Sequence, residues 1–369
     1  MDGLRAVAIG LVFLTHYVLL PYGYLGVSVF FVLSGFLITR VLLNAREQPH
    51  RFSTFYIKRS LRIFPPYVLV WGVIALLTPV LHVAWNRANW LYPVYLGNSI
   101  WTIWGNQPVL PPGYIHVGFG GLTSSGLARH FLLVGHFWTL CVEEQFYLVW
   151  PMVVFWTRQT RRLLHVCLGL IVCVTLLKLP MLFAAGFPNT VTRVTVFRAD
   201  EFAWGGALAI LIHLGRAGWL FRRANWLFAG AAALLALALA VDAHLSARWS
   251  EQRWDFVANT LAADVASVTI LLLCMMQNSW LAHLLSRRPL VRLGRISYGF
   301  YIFHDIPHSL LREWLHAVPV AFGWLAVAAA GFALALALAA LSYRFVEQPF
   351  LRMKDRPTPD RLIPSAATP

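Results

Sequence analysis

The sequence predicts an all-α membrane protein: a polytopic bundle of about ten transmembrane helices with both termini cytoplasmic. Three observations carry that expectation. Of 369 residues, 59% are hydrophobic and only 12% charged, with a mean hydropathy of +0.64; soluble domains run nearer about 45–50% and 25%. So little charge cannot cover a soluble core of this length with a polar shell. Second, apolar runs of about 18 residues or more recur, each long enough to cross the hydrocarbon core of a bilayer. Inside lipid every backbone amide must be satisfied within a helix or a closed barrel, and these runs are too long and too continuously apolar for barrel strands. Third, Lys and Arg gather in every second connection, as an even number of spans with both ends in the cytoplasm requires.

Taken in order, the spans are expected at about 4–20, 23–43, 64–81, 136–156, 163–185, 199–215, 225–241, 257–278, 296–316 and 320–345. The stretches from Ala231 to Ala240 and from Ala333 to Ala340 alternate Ala and Leu, which in isolation is a strand period. Both lie within longer apolar runs of strong helix formers, so length and propensity decide for helix. Arg40, Arg46, Arg51, Lys58, Arg59 and Arg62 lie between spans two and three, and Arg158, Arg161 and Arg162 between four and five. Arg216, Arg222 and Arg223 lie between six and seven; Arg287, Arg288, Arg292 and Arg295 between eight and nine; Arg352, Lys354 and Arg356 follow the last. The long outer connection from His82 to Gly135 holds only Arg87 and Arg129. It is rich in Gly, Pro and aromatics, including Trp85, Trp90, Trp101 and Trp104, and pieces of it are expected in the membrane interface, where Trp is favoured. Residues 1–352 read as one transmembrane domain and 353–369 as a Pro-rich, disordered cytoplasmic tail. The expected location is the cell inner (plasma) membrane, as a multi-pass protein embedded in the lipid bilayer.

Other classes are excluded on the same grounds. The formal charge of +15 is dispersed in short clusters between apolar runs, so it sets topology and does not indicate nucleic acid. Cys141, Cys167, Cys173 and Cys274 lie in apolar segments without C-x-x-C spacing, so neither a zinc site nor a disulfide framework is expected, and no metal is indicated. The first twenty residues are similar to a signal peptide. However, no A-x-A-like cleavage site follows and a second apolar run begins almost at once, which makes them the first span.

Ionisable residues inside spans are functional candidates, because lipid makes them costly. Arg5 and His16 are eleven residues apart, about three full turns, so they share a face of the first helix about 16 Å apart in depth. The plain alternative is a snorkelling Arg and an unrelated His bonded to a backbone carbonyl. Arg59 and Arg62, with Lys58 beside them, stand i, i+3 with both guanidinium groups on one side. They suit bidentate phosphate binding, or else they are topology-setting charges against anionic headgroups. Glu143 and Glu144 lie in a span of Trp, Phe and Val, where a carboxylate needs a partner. Glu143 orients His16, binds an acceptor hydroxyl, or braces the bundle through a buried ion pair. Arg198, Asp200 and Glu201 open span six on the outer side, where acceptor contacts are expected. His304 is a second proton carrier or a packing residue, and Glu347 before Pro349 reads as a helix-end structural contact.

Six blocks of sequence then give a resemblance. Met1-Asp-Gly-Leu-Arg-Ala-Val-Ala-Ile followed by His16 comes first, then Gly26-Val-Ser-Val-Phe-Phe-Val-Leu-Ser-Gly-Phe-Leu-Ile and Phe55-Tyr-Ile-Lys-Arg-Ser-Leu-Arg-Ile-Phe-Pro. Trp138-Thr-Leu-Cys-Val-Glu-Glu-Gln-Phe-Tyr, Ile296-Ser-Tyr-Gly-Phe-Tyr-Ile-Phe-His and Phe345-Val-Glu-Gln-Pro-Phe complete the set. In this order, and across nearly the whole chain, they resemble the acyltransferase family 3 membrane proteins, which include O-antigen and other polysaccharide O-acetyltransferases. Members move acyl groups, often acetyl, onto surface polysaccharides including lipopolysaccharide, peptidoglycan, lipids or secondary metabolites. The resemblance implies a membrane O-acyltransferase that takes an acyl group, acetyl by preference, from acyl-CoA to a hydroxyl of a carbohydrate, lipid-linked glycan, lipid or secondary-metabolite acceptor. It makes His16 the general base that takes the acceptor's proton, with Arg5 and Glu143 in support, and Lys58, Arg59 and Arg62 the site for the phosphates of acyl-CoA. Cys141 offers the alternative of an acyl-enzyme. Members commonly carry a few residues before the D-G-L-R run, so the start is expected to lie upstream of Met1. Some also carry a soluble C-terminal domain, for which this chain is expected to be too short. The competing function is a non-enzymatic transporter or lipid flippase, which also needs about ten spans, buried charge and an aqueous cavity.

Overall fold

Helices account for nearly all the regular structure of the computed structural model, which describes residues 1–17, 20, 22–81, 83–84, 90–99, 115–118, 122–123, 126–127, 131–182, 191–246, 255–276, 278–308 and 320–354. The first helix, α1 (Asp2–His16), opens with an acid at its positive end, and Asp2 also accepts a hydrogen bond from Arg5 at 2.6 Å. It is followed by α2 (Leu25–Ala45) and by α3 (Arg51–Leu81), a helix of 31 residues containing Pro65, Pro66 and Pro79. Span three was expected at about 64–81, where the apolar run begins. The helix instead begins at Arg51 and runs through Pro65 and Pro66, so Lys58, Arg59 and Arg62 lie on it with the i, i+3 helical spacing expected of the two arginines.

The bundle continues with α4 (Trp138–Trp156), α5 (Thr160–Lys178) and α6 (Ala199–His213). A short α7 (Gly218–Arg222) precedes α8 (Ala224–Ser246), and a π turn leads into α9 (Thr260–Met275). The basic connection after α9 is itself helical, forming α10 (Trp280–Leu285) and α11 (Arg288–Arg295). Last come α12 (Ser297–Phe303), α13 (Val320–Ser342) and, after a π turn, α14 (Gln348–Lys354). Both Ala–Leu alternating stretches lie within helices, in α8 and α13. The first two residues of the expected tail, Met353 and Lys354, are the end of α14; residues 355–369, the end of span nine, and Trp85, Trp101 and Trp104 lie outside the described residues. Trp90 is described, and it is 64% exposed.

Among the described residues, six stretches are long and apolar enough to cross a membrane by length and composition: Leu25–Ala45, Arg51–Leu76, Thr160–Lys178, Ala224–Leu245, Val257–Met275 and Gly323–Met353. Helices α1 and α6 have 15 residues each, and α4 carries the run Glu143-Glu144-Gln145. The expected all-α class meets one departure. Short strands β1 (Val83–Ala84), β2 (Ile115–Gly118) and β5 (Phe131–Leu133) pair in parallel, and β3 (Leu122–Thr123) pairs antiparallel with β4 (Gly126–Leu127). All lie in the connection between α3 and α4.

Small residues let the helices approach without a hydrophobic drive between them. A Cβ on Gly35 of α2 would lie 2.0 Å from the Phe202 carbonyl oxygen of α6, and one on Gly205 of α6 would lie 1.9 Å from the Val32 oxygen. The start of α1 docks the same way: a Cβ on Gly3 would meet the Leu285 oxygen at 1.9 Å, and one on Gly294 would meet the Asp2 oxygen at 1.9 Å. These contacts fix α1 against α10 and α11 at the end of the bundle where α3 also begins to line a cavity.

Candidate active site

The cavity has a volume of about 510 Å³ and is walled by α1, α2, α3, α4 and α12. Its cationic wall comes from α3, where Arg51, Lys58, Arg59 and Arg62 succeed one another over about 16 Å of helix. Arg5 reaches in from α1. The guanidinium carbon of Arg59 sits 3.7 Å over the Tyr147 ring, a cation–π contact that fixes its direction. Among the described residues, neither Arg59 nor Arg62 is ion-paired with a carboxylate, and Nε of Arg59 has no hydrogen-bond partner. Half-buried guanidinium groups of this kind have the donors to bind the oxygens of an anion bidentately.

Glu143 lines the same cavity. It accepts hydrogen bonds from Ser34 Oγ and, at 2.8 Å, from the Tyr147 hydroxyl. The structure therefore does not place Glu143 against His16, and the expectation that it orients that ring finds no contact to rest on. Its neighbour Glu144 has Oε1 buried with no hydrogen-bond partner among the described residues. Cys141 is fully buried and is not among the residues lining the cavity.

His16 lies one layer beyond the cavity, in a cluster that the sequence reading grasped only in part. Thr139 and Tyr301 line the cavity, their hydroxyls share a hydrogen bond, and Tyr301 donates to the His136 carbonyl at 2.9 Å. Behind them the rings of His136 and His304 are 4.6 Å apart, those of His16 and His304 4.8 Å, and those of His16 and His136 6.1 Å. Asp305 sits between His136 Nδ1 at 3.4 Å and His308 Nδ1 at 3.6 Å. His136, His304 and Asp305 are all buried.

Backbone carbonyls fix the tautomers, since a carbonyl oxygen only accepts. His16 Nδ1 lies 3.0 Å from the Val12 oxygen, the carbonyl one turn earlier in α1, so Nδ1 carries the hydrogen and Nε2 keeps its lone pair. His304 Nδ1 lies 2.6 Å from the Tyr301 oxygen, so its Nε2 is likewise the unprotonated nitrogen, and that atom faces His16 Nδ1 at 3.0 Å. Both ring nitrogens of His136 face oxygens, Ile302 O at 3.3 Å and the Asp305 carboxylate. A neutral imidazole whose Nε2 keeps its lone pair is chemically able to accept a proton there.

The remaining candidates separate from this site. Arg5 stays ion-paired to Asp2 in the cationic cavity, so it does not touch the imidazole of His16. Arg198, Asp200 and Glu201 were expected to meet an acceptor on the outer side. They are buried instead: Asp200 pairs with Lys178 at 2.6 Å, Arg198 pairs with Glu201 at 2.6 Å, and Asp264 stands nearby with neither carboxylate oxygen hydrogen-bonded among the described residues. Lys178, at the end of α5, supplies the partner that withdraws Asp200 from the surface. Glu347 packs on α12, where a Cβ on Gly299 would lie 2.8 Å from Oε1, which is the structural contact expected of it. No group of three or more His, Cys, Asp or Glu side chains among the described residues is arranged to hold a metal ion.

Ser34, Tyr147, His136, Asp305 and Tyr301 escaped the sequence reading as site residues. Ser34, Tyr147 and Tyr301 lie inside three of its quoted blocks; His136 stands two residues before one, and Asp305 directly follows another.

Fold and site together define a helical membrane protein with a cation-lined cavity backed by a buried imidazole cluster. Residues 1–344 match the family model for the acyltransferase domain of acyltransferase family 3, and the chain belongs to that family. It is 27% identical to the peptidoglycan O-acetyltransferase OatA of Listeria monocytogenes over 366 residues, covering 95% of this chain and 55% of that protein. It is also 27% identical to YrhL of Bacillus subtilis, provisionally named a peptidoglycan O-acetyltransferase, over 95% of this chain and 54% of that one. A provisionally named O-acetyltransferase of Staphylococcus aureus is 24% identical over 95% and 56% of the two lengths. The chain thus spans about half the length of the curated relatives it matches. No solved structure gives a significant match.

Proposed function

We propose that the chain is a multi-pass inner-membrane O-acyltransferase of ten spans with both termini cytoplasmic, formed by residues 1–352. It takes an acetyl group from acetyl-CoA to a hydroxyl of a carbohydrate or lipid-linked glycan. The observation that supports this reading is a cavity holding Arg59 and Arg62, neither ion-paired to a carboxylate among the described residues, next to an imidazole cluster whose His136 carbonyl accepts from the lining residue Tyr301.

In this reading Arg59 and Arg62, with Lys58 at the mouth, bind the phosphates of the donor, and Arg5 adds to the same field. The apolar residues of α2 hold the pantetheine arm, which carries the thioester inward toward Thr139 and Tyr301. Glu143, held by Ser34 and Tyr147, keeps the two donor-binding arginines from repelling one another at close range. The acceptor hydroxyl gives its proton to His16 Nε2 as its oxygen attacks the thioester carbonyl. The names of the relatives point to a peptidoglycan glycan as the first acceptor to try.

The test is purified protein in nanodiscs with isotopically labelled acetyl-CoA and fragments of peptidoglycan and other glycans, with ester formation followed by mass spectrometry. Calorimetry runs in parallel for donor binding. Transfer that saturates with acetyl-CoA is expected. Acetyl-CoA binding no tighter than in a variant carrying both Arg59→Ala and Arg62→Ala would overturn the donor assignment.

A further inference from the structure

His16 is not alone at its outer ring nitrogen. Nδ1–H, already directed at the Val12 oxygen, is also 3.0 Å from His304 Nε2, and the Tyr301 carbonyl at 2.6 Å from His304 Nδ1 leaves that Nε2 as a bare acceptor. A base that must hold a proton in a water-poor site needs a group behind it to share the charge, the place a carboxylate fills behind the histidine of a serine hydrolase. Here the place behind His16 is filled by a second imidazole. The one carboxylate near the pair among the described residues, Asp305, follows His304 in the chain and is buried beside His136 and His308.

We propose that His16 and His304 form a two-proton relay, in which the proton taken from the acceptor is shared across both rings and its charge is met by Asp305. This rests on the reading of His16 as the general base. As the acceptor oxygen attacks, its proton passes to His16 Nε2 and the proton on His16 Nδ1 passes to His304 Nε2. The new C–O ester bond forms, the C–S bond breaks, and its electron pair leaves on the thiolate. His304 then returns its proton to His16 Nδ1 while His16 Nε2 gives its own to the thiolate sulfur, so both rings are restored and free coenzyme A departs as the thiol. No proton is gained or lost overall. His304 does not touch substrate in this scheme; it is a positioning and charge-sharing residue.

The surroundings of His304 suit the task. Its neighbours are His16 from α1, His136 from the turn before α4, Asp305, and the Tyr17 hydroxyl, which donates to the His304 carbonyl at 3.3 Å. No Lys or Arg is ion-paired with Asp305 among the described residues, so its charge is not already neutralised by a permanent cation.

The decisive measurement is a proton inventory on single-turnover acyl transfer, in which the rate is followed through mixtures of H2O and D2O. Two protons in flight give a downward-bowed curve, and one gives a straight line. The wild-type protein is expected to bow. His304→Gln, which can accept a hydrogen bond but cannot hold a proton, is expected to give a straight line at a rate lower on the order of a hundredfold, with acetyl-CoA binding retained. A straight line for the wild-type protein overturns the relay and leaves His16 standing as a lone base. Wild-type rate and curvature in His304→Gln overturn it equally. Full turnover in His16→Gln removes the base itself, and the relay with it. Should His304→Gln lose donor binding through misfolding, the wild-type curve alone decides.

Discussion

The guanidinium carbon of Arg59 lies over the ring of Tyr147, 3.7 Å from its centroid, while the hydroxyl of the same tyrosine donates to Glu143. One side chain of α4 thus aims a cation of α3 into the cavity and holds the carboxylate that faces it. Replacing Arg59 or Arg62 with Ala is expected to raise the KM for acetyl-CoA and leave the acceptor's KM little changed. Loss of one charged hydrogen bond is about 1.5–3 kcal/mol, roughly ten- to a hundredfold in affinity. Tyr147→Phe retains the ring and is expected to have the milder donor defect, whereas Tyr147→Leu removes the ring and approaches Arg59→Ala. Unchanged donor KM in both arginine variants returns these residues to setting topology.

His16→Ala is expected to abolish transfer while leaving membrane insertion and acetyl-CoA binding near normal, because a proton acceptor matters mainly in the transition state. His16→Gln keeps much of the shape and should be nearly as defective. Near wild-type turnover in His16→Gln rules out the base. An isolated acyl-enzyme, on Cys141 or elsewhere, replaces direct transfer with a two-step route.

Much of this was legible in the chain. The spans expected at about 23–43 and 257–278 meet helical stretches long and apolar enough to cross a membrane, Leu25–Ala45 and Val257–Met275, because long apolar runs leave the backbone little choice in lipid. The helix α3 begins earlier than the apolar run because its first turns carry Arg51, Lys58 and Arg59, which hydropathy does not count as span, and it tolerates Pro65 and Pro66 within a packed bundle. The cationic wall was readable from i, i+3 spacing, a local relation. The imidazole cluster was not, since His16 and His304 are separated by 288 positions and only tertiary packing joins them. Asp200 was misjudged for the same reason: no periodicity shows that the end of α5 delivers Lys178 to it.

Orientation is open to labelling. With ten spans and cytoplasmic termini, single cysteines near Arg161 and Arg288 are expected to resist an impermeant reagent applied outside, and cysteines near Gly120 to react. Labelling of the first two from outside would invert the arrangement and place the cationic cavity on the wrong side for a cytosolic donor.

The α2–α6 contact predicts a steric limit. Gly35→Ala and Gly205→Ala each place a methyl about where a backbone oxygen now sits, 2.0 Å and 1.9 Å away. Backbone cannot step aside as a flexible side chain can. Each is expected to destabilise by about 1–3 kcal/mol or more, read as a lowered melting temperature in detergent. Gly230→Ala on α8, with nothing within 4 Å of the added carbon, is the control and should leave the melting temperature unchanged or raise it. Equal melting temperatures for all three would mean that α2 and α6 do not approach this closely.

The buried pair Lys178–Asp200 separates a structural role from a catalytic one. The ammonium and carboxylate lie 2.6 Å apart, both nearly inaccessible, joining α5 to the first turn of α6. Asp200→Asn takes away the carboxylate charge that faces the buried Lys178 ammonium at 2.6 Å, and breaking a buried ion pair typically destabilises by about 3–5 kcal/mol. Replacing both, as Lys178→Met with Asp200→Leu, removes the charges together and keeps the volume, which is often neutral or stabilising. A bracing pair therefore predicts a low melting temperature and low expression for Asp200→Asn, with recovery of stability and of acyl transfer in the double variant. Recovery of stability without transfer would show that this cluster takes part in the reaction, and would move Asp200 and its neighbours back among the candidates for holding the acceptor.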